Sequence, residues 1–416
     1  MSFNTVSVVG LGYIGLPTAA MFASRRIKVI GVDVNEHAVD TINRGEIHIV
    51  EPELDILVHA AVTEGYLRAT LTPEPADAFL IAVPTPFKGD NEPDLSYIKA
   101  ATEAIAPVLE KGNLVVLEST SPVGATEKVA EWLAKFRPDL SFPQQNGETA
   151  DINVAHCPER VLPGHVVREL VENDRVIGGM SKRCSDRSVE LYKMFVEGEC
   201  IITNARTAEM AKLTENAYRD VNIAFANELS IISDKLDINV WELIRLSNHH
   251  PRVNILQPGP GVGGHCIAVD PWFIVSKTPK EARLIHAARE VNDSKPAVVI
   301  ESIVKKANEL KTNKVICLGI AFKPDIDDLR ESPSCKIVTE LLDRGFDVGI
   351  VEPNIDELSL DLKRKGASLM VLGDVLTLND SEYIGAILVA HKEFRGNDAL
   401  KKANKIDFCG ALEAIR

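Results

Sequence analysis

The sequence predicts an α/β protein in which two doubly wound domains are joined by a long central helix and a helical segment. Three observations predict it. Short β-branched runs alternate with helical patterns through the first 200 residues, as parallel sheets require. Residues 207–236 then run as one helical pattern without Pro or Gly, about 45 Å if continuous. A second αβ alternation opens at Lys314. These features divide the chain into residues 1–205, 206–305 and 306–416, with boundaries good to about ten residues.

The elements follow in order. Thr5–Val9 is the first strand, and a glycine-rich turn leads into a helix ending near Ser24. Lys28–Val32 is the second strand, closing on Asp33. Further strands are expected at Ala78–Val83, Leu114–Glu118, Ile152–His156 and Arg175–Gly178. In the last third, Val315–Gly319 and Asp347–Val351 read as neighbouring strands of a sheet planned like the first, without its complete glycine fingerprint. The central helix is long enough to join domains or to pack against a second subunit, so a homodimer is expected.

Composition excludes several classes. Hydrophobic residues make up 45% and charged residues 25%, as in soluble globular proteins. A net charge of −14 without a basic stripe argues against a nucleic-acid partner. The seven cysteines are odd in number and lack any Cys-x-x-Cys pair, which fits a reducing compartment and offers no zinc-ligand spacing. No apolar run is long enough to span a bilayer and no basic leader opens the chain, so the expectation is cytoplasmic, with no membrane partner and no metal.

The cofactor signal is Gly10-Leu11-Gly12-Tyr13-Ile14-Gly15, a G-x-G-x-x-G between strand and helix. Gly10 allows the tight turn, Gly12 lets backbone amides approach a pyrophosphate, and Gly15 permits close helix–strand packing. Tyr13 and Ile14 fall between them, at the positive end of the helix. Three glycines alone also describe an ordinary turn. Asp33, at the end of the next strand, adds the acid that hydrogen-bonds a ribose hydroxyl, and no Arg or Lys follows closely to receive a 2′-phosphate. The reading is a Rossmann-like domain that binds NAD rather than NADP. Thr85 and Thr120 follow later strands, where open sheets bind ligands. Thr126 starts the next helix, as a cap or as a cofactor contact.

Residues 258–271 place four glycines and two prolines ahead of one cysteine, Cys266, with Asp270 one helical turn beyond. Most free cysteines are small buried hydrophobes, and the other six are read that way. Cys266 is read as a nucleophile. Lys212, Asn216 and Arg219 share one face of the long helix by their i, i+4, i+7 spacing. A solvated stripe is the ordinary reading of such spacing, but the apolar residues around them favour a buried polar cluster.

Taken together, Gly10–Gly15, Ser119–Gly124, Cys157-Pro158-Glu159-Arg160, Lys212-x-x-x-Asn216, Gly261–Asp270 and Phe322-Lys323-Pro324 through Arg330-Glu331-Ser332-Pro333 resemble the UDP-glucose/GDP-mannose dehydrogenase family over essentially the whole chain. Within it, His265-Cys266 and Asp270-Pro271 resemble the branch acting on UDP-N-acetylhexosamines, and the run Cys157–Gly164 and Arg252-Val253-Asn254-Ile255 look most like members that oxidise UDP-N-acetyl-D-mannosamine. The resemblance implies two NAD reductions at C6 of a UDP-sugar and a uronate that feeds cell-surface polysaccharide synthesis. It implies a Cys266 thiohemiacetal and thioester, with Lys212, Asp270, Asn216, Glu159 and Thr120 assisting. A thiol of ordinary pKa is only ~3% thiolate at pH 7, so such help is needed. Substrate contacts implied are Arg160, Val161, Lys212, Asn216, Arg219, His250, Gly263, Phe322 and Lys323, with Arg252 acting across a subunit interface. Arg330 is implied as a cofactor contact. The outer domains would enclose the site. Phe408-Cys409-Gly410-Ala411-Leu412 departs from the family pattern. UDP-N-acetylglucosamine or UDP-glucose as substrate, a two-electron β-hydroxyacid dehydrogenase and a catalytically idle NAD-binding protein are the alternatives.

Overall fold

A computed structural model describes residues 3–413 except 50, 90, 162–163, 265, 380 and 402–403. His265, Leu162 and Pro163 of the family-like motifs therefore lie outside the described residues. The chain forms two compact units, residues 1–215 and 216–416.

The first unit is built on an eight-stranded sheet. Its strands are β1 (Thr5–Val9), β2 (Lys28–Val32), β3 (Leu67–Thr70), β4 (Ala78–Ile81), β5 (Leu114–Leu117), β6 (Asn153–His156), β7 (Arg175–Gly179) and β8 (Cys200–Asn204). They lie in the order β8-β7-β6-β5-β4-β1-β2-β3. Neighbours pair in parallel except β6 and β7, which are antiparallel, so the sheet departs from the all-parallel expectation at that one junction. The central strands are buried on both faces. Val6 and Val8 enter one apolar core, while Val9, Ile30 and Ile81 enter another, as the two-residue period of a strand demands. Helices α1 (Gly15–Ser24), α2 (Ala125–Phe136) and α3 (Lys182–Tyr192) pack beside these strands. The strand order reverses between β1 and β4, and the loops after those two strands open at that reversal.

Helix α4 (Ala205–Leu236) runs 32 residues and carries the chain from the first unit into the second. The second unit continues with α5 (Asp270–Lys277) and α6 (Arg283–Leu310). The boundary expected at 305 falls inside α6. A five-stranded parallel sheet follows, made of β9 (Lys314–Leu318), β10 (Asp347–Val351), β11 (Ser368–Leu369), β12 (Ile384–Ile387) and β13 (Lys405–Asp407). Its order, β11-β10-β9-β12-β13, repeats the plan of the first sheet around β1. Helix α7 (Pro333–Asp343) covers it. The likeness extends to detail, because Gly10 and Gly319 both adopt positive φ and both amides bond the end of the adjacent strand, at Val32 and Val351.

Candidate active site

In the first unit, the three fingerprint glycines meet three different demands. Gly10 sits at φ +93°, and a Cβ there would lie 2.7 Å from the Ala82 carbonyl oxygen. A Cβ on Gly15 would lie 1.7 Å from the Gly10 oxygen, so helix and turn can pack this closely only without one. Gly12 faces open space, with nothing within 4 Å of an added Cβ. Tyr13 is exposed and Ile14 half-buried beside it. Asp33 Oδ2 accepts from the Leu11 amide at 2.8 Å and Oδ1 from Asn35, which fixes the carboxylate at the mouth of the glycine turn.

The neighbouring strand ends are shaped by alternation. Ser119 donates to the Val83 carbonyl and Ser121 to Ser119, while half-buried Thr120 lies between them. The Thr85 hydroxyl is buried and has no hydrogen-bond partner among the described residues. An orphan hydroxyl beside an open glycine and an anchored acid fits a dinucleotide, which supplies the missing polar partners. Thr126 lies in the first turn of α2, and its hydroxyl donates to Glu209 Oε1 at 2.6 Å. Glu209 also accepts from the amides of Gly124 and Thr126, and it is buried on α4 three residues before Lys212. No local pattern reveals it, because its partners lie more than 80 residues away.

Beneath these loops lies a buried ionic cluster. Arg175 donates to Glu159 Oε2 at 2.6 Å, with both side chains buried. Glu159 Oε1 accepts from the Arg160 amide. Glu159, implied to assist the reaction, is occupied at both oxygens and fixes the turn that carries Arg160. Arg160 pairs with Glu215 at 2.7 Å, and Val161 is half-buried against the core. Cys157, on the same turn, is buried and pushed up to about 12 by desolvation, which keeps it an inert thiol.

Glu118, at the end of β5, accepts from the Tyr192 hydroxyl at 2.6 Å. Full burial pushes its carboxyl up to about 7, against the pull of Arg175. A carboxyl raised from 4.5 binds more protons in the folded than in the unfolded chain between those pH values. Stability is therefore expected to fall as pH rises from 4.5 to 7 and to stay low above, by on the order of 3 kcal/mol for this group. Urea midpoints of wild type and Glu118→Gln at pH 5 and pH 8 test this. The variant is expected to gain on wild type at the higher pH, and a constant difference refutes the assignment.

In the second unit, Cys266 is exposed, unlike Cys157, Cys184 and Cys317, which are buried. Its carbonyl accepts from the amides of Val269 and Asp270 and so holds the entry to α5. Asp270 begins that helix, is buried, and accepts from Asn216 Nδ2 at 2.5 Å. Lys212 is half-buried one turn before Asn216 on α4, and Arg219 is exposed. The polar face of α4 thus divides, and its buried cluster forms further along. There Arg289 pairs with Asp220 at 2.6 Å, and Asn292 bridges Asp220 to Asn227. Asn227 Oδ1 in turn accepts from Gly259 at the head of the glycine-rich loop.

That loop is pressed against the start of the second sheet domain. A Cβ on Gly263 would lie 2.6 Å from the Glu331 oxygen and 3.0 Å from Phe322. Gly264, at φ +82°, lies against the Phe322 ring. The separate motifs around Cys266, Phe322-Lys323 and Arg330–Pro333 are one packed unit. Lys323 is half-buried, and Arg330 forms a forked pair with Asp328. His250 and Arg252 are exposed on the turn after Ser247, with the Arg252 amide bonded to His250 Nδ1. Glu352, at the strand end that matches Asp33, is buried on His391 and the amides of Ile320 and Ala321, so it is turned inward instead of toward a ribose. Among the described residues no group of His, Cys, Asp and Glu is arranged to hold a metal, and no helix is long and apolar enough to cross a membrane.

Family models of the UDP-glucose/GDP-mannose dehydrogenases match three stretches: the NAD-binding domain over residues 4–196, the central domain over 206–294 and the UDP-binding domain over 316–414. A UDP-N-acetyl-D-mannosamine dehydrogenase of Campylobacter jejuni is 66% identical over 94% of this chain and 96% of its own. An NDP-N-acetyl-D-galactosaminuronic acid dehydrogenase of Ralstonia nicotianae is 61% identical over 100% of this chain and 98% of its own. Among solved structures, a UDP-D-ManNAc dehydrogenase of Pyrococcus horikoshii superimposes with a TM-score of 0.86 at 36% identity, covering 99% of this chain and 96% of that one.

Proposed function

The chain belongs to the UDP-glucose/GDP-mannose dehydrogenase family and binds NAD, and from that premise we propose that it oxidises UDP-N-acetyl-D-mannosamine at C6 to the uronate through Cys266. The observation that carries this reading is an exposed thiol whose own backbone anchors the helix of buried Asp270.

NAD, when bound, supplies the acceptor for each of two hydrides. In the first oxidation, the C6 alcohol loses a proton and a hydride and becomes an aldehyde. The Cys266 thiolate then adds to that carbonyl, and Lys212 is placed in the role of steadying the resulting oxyanion. Loss of a second hydride from the thiohemiacetal leaves a thioester. Water, directed by Asp270 and Asn216, cleaves it to the acid and returns the thiol. Thr120 orients the reacting groups, and Glu159, through Arg175, steadies the turn of Arg160 and Val161. Arg219, His250, Gly263, Phe322 and Lys323 contact the nucleotide sugar, and Arg330 the cofactor.

We read the active form as a cytoplasmic homodimer to which Arg252 contributes across the interface. Tyr218, Phe225 and Ile232 support it, because they are exposed and recur every seven residues along one stripe of α4. A second reading, oxidation of a UDP-N-acetylgalactosamine, is supported by the Ralstonia relative, since these sugars differ only in configuration at C2 and C4.

Incubation with NAD and a panel of UDP-sugars is expected to give two NADH per acid formed, fastest with UDP-N-acetyl-D-mannosamine. One NADH per product overturns the four-electron reading. Faster turnover of the galactosamine sugar selects the second. Sedimentation of the same preparation checks the dimer, which a fully active monomer rules out.

A further inference from the structure

Residues 216–416 enclose a cavity of ≈ 360 Å³ that shares no side chain with the catalytic and substrate-contacting residues named above. One wall comes from α4 and α6 and carries three lysines, Lys295, Lys305 and Lys306, together with the carboxylates of Asp234 and Glu309. Lys295 is buried, and its ammonium donates to Ser230 Oγ at 2.5 Å. The Ser230 hydroxyl spends its own proton on the Asn227 carbonyl, so it is an acceptor only toward Lys295. Two N–H groups of the ammonium remain for another partner. Burying a cation on a neutral hydroxyl is unfavourable, and desolvation lowers Lys295 to about 8, with exposed Asp234 pulling it back. Lys305 and Lys306 line the same wall, Lys306 paired with Glu309 at 3.6 Å.

The facing wall is apolar, formed by Val240, Trp241, Ile406 and Phe408. It is shaped by the segment in which the sequence departs from the family pattern. Asp407 accepts from the amides of Cys409, Gly410, Ala411 and Leu412, which ties its carboxylate into its own loop. Gly410, at φ +74°, lets this loop lie against the Trp241 ring, 2.8 Å from where a Cβ would stand. A buried ammonium with unused donors facing an aromatic wall favours an anion with an organic body.

We propose that this cavity is a second ligand site that takes a phosphorylated small molecule, its phosphate on Lys295 and Lys305 and its organic body against Trp241 and Phe408. Lys295 reaches Gly259 through Ser230 and Asn227, so the ligand sits one hydrogen-bonded chain away from the loop that carries Cys266.

Calorimetric titration of the full chain with inorganic phosphate and with phenyl phosphate tests the proposal. Wild type is expected to bind both, phenyl phosphate severalfold more tightly. Lys305→Glu, an exposed position chosen so that folding is kept, is expected to weaken both by at least about tenfold. Trp241→Ala is expected to remove the preference for the phenyl compound, and Lys323→Met to leave both affinities unchanged. Absence of binding to wild type, or equal binding by wild type and Lys305→Glu, overturns the site. Loss of binding in Lys323→Met alone places the phosphate at the substrate's own position and overturns it equally. An unchanged preference in Trp241→Ala removes the aromatic wall from the proposal.

Discussion

Replacement of Cys266 by alanine is expected to lower uronate formation by on the order of 10⁴-fold or more, the scale of losing a covalent nucleophile. The reason is a matter of bonds. The aldehyde carbon keeps a C–H, but it has no alkoxide to expel that hydrogen as hydride until a nucleophile adds to its carbonyl. The thiolate supplies that addition and later leaves as water attacks. Without it, one NADH per sugar is the most that can form readily, and the aldehyde should accumulate. Hydration of the aldehyde offers a slow bypass, so rate and stoichiometry must be read together. Intact mass after acid quench should show a sugar adduct on wild type and none on Cys266→Ala. Acid production by the variant at the wild-type rate defeats the nucleophile assignment. Local structure supports the choice of thiol: Cys157 is held near 12 by burial, whereas Cys266 is exposed on a turn whose carbonyl organises the helix of Asp270.

The parts of this architecture that the sequence discloses are those encoded over short distances. β1, β2 and β10 are β-branched runs buried on both faces, and their bounds match the residues that carry the pattern. The glycine turn is legible because three spacings coincide with one strand and one helix. β3 and β8 were not foreseen. Leu67–Thr70 alternates but is only four residues long, and Cys200–Asn204 is an edge strand with Ile201 and Ile202 exposed, so it carries no clean period. The antiparallel turn at β7 leaves no mark either, since strand direction is set by the connection rather than by strand composition. In the site, a carboxylate buried on a distant partner looks the same in sequence as one in water. That hid the Glu209 cap, the inward turn of Glu352 onto His391, and the engagement of Glu159 by Arg175.

The same argument makes the Arg289 pair the most sensitive point of the second unit. Arg289 and Asp220 are almost wholly buried and 2.6 Å apart, and Arg289 also engages Asp293. Arg289→Met keeps the bulk but leaves Asp220 with Asn292 as its remaining side-chain donor. Stranding one partner of a buried pair costs about 3–5 kcal/mol, a large share of a domain's typical stability of about 5–15 kcal/mol. Burial already raises the Asp220 carboxyl above its ordinary value, and loss of the guanidinium raises it further. A raised carboxylate is less costly when protonated, so the variant's deficit should be smaller at pH 5 than at pH 8. Asp220→Leu combined with Arg289→Met removes the stranded charge and is expected to recover most of the lost stability. The double variant takes away the carboxylate acceptor of Asn292 and leaves it only the Asp220 carbonyl, which loosens the brace on Asn227 and Gly259. It should therefore fold well and still turn over slowly. Urea midpoints at both pH values, with kcat of the double variant, read these outcomes. A single-variant deficit below about 1 kcal/mol, or a double variant no more stable than the single, shows that the pair does not hold this helical core together.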